Sequence, residues 1–65
     1  MPLNLQPNID RADDVYQALI DMHNGLSDEE SAKVAAKLIL LLANHIGDAD
    51  VVIRAAEIAR KNTVT

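Results

Sequence analysis

Leu38-Ile39-Leu40-Leu41-Leu42-Ala43 is an unbroken apolar run set in helical spacing, and it decides how the rest of the chain reads. Successive helical residues turn by about 100°, so such a run goes right round the axis and leaves no side for water. A helix apolar on every side must be covered on every side. A chain of 65 residues supplies only two short neighbours for that task, and small domains with thin cores gain burial from partners. The run therefore predicts an all-α protein: a compact three-helix unit with an extended N-terminal arm, homo-oligomerising through helix 2.

Projection of that helix with Leu38 at 0° gives the apolar residues a continuous arc of about 220°, wider than the stripe of an ordinary surface helix. Lys33, Lys37 and Asn44 mark the wet side, and Leu40 intrudes on it. Val34, Leu38, Leu41 and Leu42 form a large-residue flank; Ala32, Ala36 and Ala43 lie beside Ile39 on a small-residue flank that allows close approach of another backbone. The preferred reading sends the large flank to helices 1 and 3 of the same chain. The small flank, with Ile39 and Leu40, then meets a symmetry mate. In the alternative, helix 3 covers the alanines alone and Leu40 is an ordinary exposed leucine. Ile53 falls outside the apolar face of helix 3 and is a further partner-surface candidate, with the same ordinary alternative.

Strong local signals bound the three helices. Ser27-Asp28-Glu29-Glu30 fits a capping box, in which Ser27 bonds the amide of Glu30 and the Glu30 carboxylate returns to the amide of Ser27. Helix 2 follows over 28–46 and stops at Gly47, a rod of about 28 Å. The acidic cluster is read as a helix start and not as a metal site, since adjacent carboxylates splay apart on a helix. Asp10 is the expected N-cap of helix 1 over 11–24, where Ala12, Val15, Tyr16, Leu19, Ile20 and Met22 share a face and Asn24-Gly25 ends it. Asp48 or Asp50 caps helix 3 over 49–61, beyond which Asn62 to Thr65 are expected to fray. Residues 1–9, with Pro2, Pro7 and well-spaced Leu3, Leu5 and Ile9, read as an extended arm. It either caps its own bundle or reaches across to a second subunit. The whole of 1–65 is one domain.

Composition excludes much chemistry. With no cysteine, disulfides, thiolate zinc, iron–sulfur clusters and thiol nucleophiles are absent. Tyr16 is the only aromatic residue, so nothing stacks bases or flavins. A net charge of −4 disfavours nucleic acid as partner. The charge is uneven: residues 1–32 hold seven acidic side chains against Arg11, and residues 33–65 hold five basic against three acidic. The opening residues lack a signal peptide's basic start and apolar core, and no apolar run approaches the roughly 18 residues of a membrane span, so a soluble cytoplasmic protein is expected.

His23 and His45 are the two histidines of the sequence, the residue type suited to acid–base work near neutrality. Each lies in the last turn of a helix, where a capping role explains it. His45 is the candidate functional histidine, placed along the large flank where Tyr16 or an acidic residue of helix 1 could meet it. Asp48-Ala49-Asp50 opens like a calcium loop but fails at Val52 and Ile53, and Glu57 comes two residues early. Glycine-rich phosphate loops and HExxH are missing. A helix-turn-helix reading is opposed by Glu57 between Arg54 and Arg60 and by the acidic balance. No catalytic residue, cofactor or metal is assigned.

The segments Gly25-Leu26-Ser27-Asp28-Glu29-Glu30-Ser31 and Leu40-Leu41-Leu42-Ala43-Asn44-His45-Ile46-Gly47-Asp48, with the arm Leu3-Asn4-Leu5-Gln6-Pro7-Asn8-Ile9, resemble a family of short bacterial proteins catalogued as a domain of unknown function. The resemblance brings no site residue. It implies at most an accessory role in bacterial catabolism, beside flavin-dependent hydroxylases of aromatic compounds. The expectation is a small non-enzymatic helical protein acting by protein–protein interaction, as a homo-oligomer with the dimer favoured, or with a second protein. The alternative is an enzyme whose site forms between subunits around His45, with Tyr16 and a carboxylate. An acyl-carrier reading ranks last, because the Asp-Ser-Leu attachment motif is absent.

Overall fold

A computed structural model describes residues 2–64. Among them are three helices and no strand: α1 at Ala12–His23, α2 at Asp28–Ile46 and α3 at Ala49–Val64. The start of α2 is a complete capping box. Ser27 Oγ accepts from the Glu30 amide at 3.2 Å, and the Ser27 amide donates to Glu30 Oε1 at 3.0 Å. Its end is a glycine stop, Gly47 at φ 72°, whose amide donates to the Ala43 carbonyl at 2.9 Å. A left-handed residue turns the chain sharply there, and glycine meets no Cβ penalty.

The start of α1 differs from the expected Asp10 cap. Arg11 occupies the N-cap with left-handed φ 51° and ψ 54°, and no side chain caps the helix. Its carbonyl accepts from the amides of Asp14 and Val15, and its guanidinium Nε reaches Asp14 Oδ2 at 2.8 Å. Charge from Asp13 and Asp14 in the first turn complements the helix dipole in place of a cap. The α3 start uses Asp48: its Oδ1 accepts from the amides of Asp50 at 3.1 Å and Val51 at 3.3 Å. α3 also runs past the expected end at 61 to Val64, with Thr63 Oγ1 donating to the Ala59 carbonyl at 2.8 Å. No glycine or proline stands at 61–64 to stop it.

Assembly of the helices departs from the compact unit that the sequence suggested. α2 contacts both α1 and α3, but no Cα of α1 comes within 8 Å of one in α3. The radius of gyration is 13.3 Å, against about 10.7 Å for a compact domain of this length. Among the described residues Val51 alone is buried, at 7% exposure. The reason is geometric: α2 is longer than α1, and the short turns at either end of α2 let its neighbours splay apart. Helices that diverge from a common rod cannot close a core between them.

Candidate functional site

The large flank of α2 is only half covered. Val34 and Leu38 are half-buried, whereas Leu41 is 68% and Leu42 52% exposed. The expectation that α1 and α3 would cover all four is corrected here: α1 does not shield the C-terminal half of α2. The inner face of α1 is partly covered by α2, with Val15, Leu19 and Ile20 at 40 to 42% exposure and Tyr16 more exposed still. Met22, next to the α1–α2 turn, is half-buried. Two apolar helix faces therefore lie partly open to water in one chain.

A groove runs between α2 and α3, with a volume of about 320 Å³. On the α2 side it is lined by Ile39, Leu42, Ala43 and Ile46, and on the α3 side by Val51, Val52, Ala55, Ala56 and Ala59. Leu3 from the arm completes its lining. The groove carries no charged side chain among these residues. Val51 is the buried residue of the lining, while Ile39, Leu42, Ala55, Ala56 and Ala59 stay exposed along it, so the trough is apolar and open to water. Leu3 is the half-buried residue of the arm, while Leu5 and Ile9 stay exposed. The arm is pinned locally by the Asn4 Oδ1 that accepts from the Gln6 amide at 2.9 Å.

The residues named as a partner surface fall in four places. Ile39, at 61% exposure, and half-buried Ala43 line the groove. Ala43 also shares a shallow depression with Ile53 and Asn44 at the α2–α3 corner. Leu40 lies on the outer side of α2 with Lys37, Leu41 and Asn44. Ala32 and Ala36 are exposed on the N-terminal half of α2. Sequence reasoning named the α1 face and Leu3 as apolar signals but did not count them among the partner-surface residues, because each is an ordinary amphipathic signal until the neighbour that should cover it is seen to be elsewhere.

Electrostatics at the site are those of a solvated surface. The ion pairs Arg11–Asp14 at 2.8 Å, Lys33–Glu29 at 3.7 Å and Arg54–Glu57 at 3.4 Å are all exposed, and such pairs add little stability. The Asp48 carboxyl is held below its ordinary value of 3.8 by the hydrogen bond from the Val51 amide, assisted by that of Asp50. His45 lies exposed in the last turn of α2. No hydrogen bond or ion pair reaches its imidazole among the described residues, and the structure gives it no bond to Tyr16. Also among the described residues, no three His, Asp or Glu side chains converge as metal ligands, and no helix is long and apolar enough to cross a membrane.

These features define a class: a small all-α chain that presents open apolar helix faces and brings no catalytic constellation together among its described residues. The chain belongs to the family described as "Protein of unknown function (DUF2783)", whose model matches residues 3–61. No curated protein and no solved structure matches it.

Proposed function

We propose that this protein acts by protein–protein interaction, as a self-associating cytoplasmic module in which the dimer is the working form. The observation that carries the reading is an excess of surface. The chain exposes 5842 Å², whereas a compact monomer of 7.1 kDa exposes about 4,100 Å². The surplus of about 1,700 Å² per chain exceeds what one partner contributes to a standard interface and suits an obligate one. Part of it lies in the arm, and the rest lies on the apolar faces of the three helices. One buried residue among those described cannot offset the conformational entropy of ordering a chain of this length. The missing burial comes from a second polypeptide, with Ile39, Leu40 and Ala43 of α2 in the contact. An accessory or regulatory role in bacterial catabolism is the physiological setting that this reading suits, since a chain with no catalytic constellation among its described residues would act through what it binds.

The test is sedimentation equilibrium over a wide range of concentrations, with helicity followed in parallel. Association and helicity rising together support the reading. A fully helical, cooperatively folding monomer at all concentrations overturns it.

A further inference from the structure

A chain that carries both a partly uncovered ridge and an uncovered groove can satisfy each with the other only if the ridge comes from elsewhere. α1 presents Val15, Leu19 and Ile20 as neighbouring turns of one face, partly open at 40 to 42% exposure, and the α2–α3 groove is lined by alanines and aliphatic side chains around buried Val51. Large side chains on a convex helix and small ones in a concave trough are complementary packing partners. The groove is shorter than α1, so it takes about two turns of that helix. α1, with 12 residues, is about 18 Å long, and the groove from Val51 to Ala59 extends about 12 Å. Within one chain, α1 and α3 do not approach each other.

We propose that in the dimer α1 of each copy lies in the α2–α3 groove of the other, two identical contacts related by one two-fold axis. The proposal rests on the self-association argued above and adds the surfaces that meet. A two-fold axis suits a chain holding both halves of the fit, because each copy then gives its ridge and receives the other's. Both copies together would bury about 3,400 Å² if the whole excess were covered, within the range of obligate homodimers. Leu3 of the arm adds an aliphatic wall to the groove from outside α2 and α3.

Charge sets the direction. Asp13 and Asp14 stand at the start of α1, and Arg60 and Lys61 follow Ala59 at the far end of the groove. Neither Arg60 nor Lys61 has an ion-pair partner among the described residues. The two halves of the sequence carry opposite net charge, six negative over residues 1–32 and two positive over residues 33–65. Laying α1 in the partner's groove with its first turn toward Arg60 and Lys61 matches these ends, which favours one orientation and speeds encounter.

The chain has no native cysteine, so disulfide trapping reads the contact without background. Leu19→Cys and Ala56→Cys variants of the full chain are mixed in equal amounts, equilibrated and oxidised, and the products are resolved by mass. The hetero-disulfide is expected to dominate well beyond its random share. Homo-disulfides at or above that share, with a dimer still present by sedimentation, overturn this packing but leave self-association standing. A monomeric wild-type chain overturns both. An intramolecular disulfide in the Leu19→Cys/Ala56→Cys double variant, without the intermolecular product from the mixed singles, overturns the exchange in favour of closure within one chain. If a cysteine variant loses helicity, a charge cycle on exposed residues answers the same question. Asp13→Lys/Asp14→Lys is expected to weaken the dimer several-fold, and adding Arg60→Glu/Lys61→Glu to restore it; failure of that recovery counts against the proposed orientation.

Discussion

Ile39→Glu separates a complete monomer from an unfinished protomer. In the isolated chain Ile39 is 61% exposed on the groove rim, so a glutamate there can turn to water, and the loss stays within about 1 kcal/mol. In a dimer that covers the groove, the uncovered part of the isoleucine is worth about 1–2 kcal/mol of burial. An unpaired carboxylate in its place adds a desolvation cost on the order of several kcal/mol. The sum is at least about 3 kcal/mol per copy, and the two-fold axis counts it twice. About 6 kcal/mol per dimer raises the dissociation constant by roughly four decades. Sedimentation equilibrium of wild type and variant at matched concentrations, with circular dichroism on the same samples, measures both association and fold. The expected result is a dissociated variant whose helicity falls with the loss of its partner. A variant that associates as tightly as wild type, or wild type that is a stable monomer, refutes the reasoning.

Other expectations concern how the helices begin and end. Ser27→Ala removes the side-chain half of the capping box and should lower stability by about 1 kcal/mol in denaturant titration. Gly47→Ala should cost about 1–2 kcal/mol: the new Cβ meets nothing closer than the Asn44 carbonyl at 3.9 Å, so the loss comes from φ 72° alone and not from a clash. In acid, the Asp48 contribution follows the sign of its shift. Its folded value lies below 3.8, so its stabilisation is complete above that pH and is lost as pH falls through the lower folded value. Titration of helicity in Asp48→Asn should lack this component, because the amide carbonyl caps α3 at every pH.

Much of the local structure was legible because its causes are local. Ser27 and Glu30 sit three residues apart and close a capping box without help from the rest of the chain. Gly25 and Gly47 have positive φ wherever their neighbours lie, since the turn itself demands it. Where the competing devices were close in strength, the reading slipped. Asp10 looked like a cap, but Arg11 takes the left-handed position and Asp14 its guanidinium; α3 outlasts Lys61 because no breaker follows.

The sequence alone determined the helical class, the positions of the turns, and the fact that α2 has more apolar surface than two short neighbours can cover. These follow from periodicity, capping chemistry and a count of hydrophobic residues. Only the tertiary structure decided which surface stays open. Periodicity tells that Leu41, Leu42, Val15 and Leu19 need cover, but not at what angle α1 leaves the turn at residues 24–27. The observed packing keeps α1 and α3 out of contact, leaves Leu41 and Leu42 exposed and Val15 and Leu19 partly so, and makes a groove between α2 and α3 where the sequence suggested a closed core. Helix faces are properties of short segments, whereas their pairing depends on crossing angles that no single segment encodes.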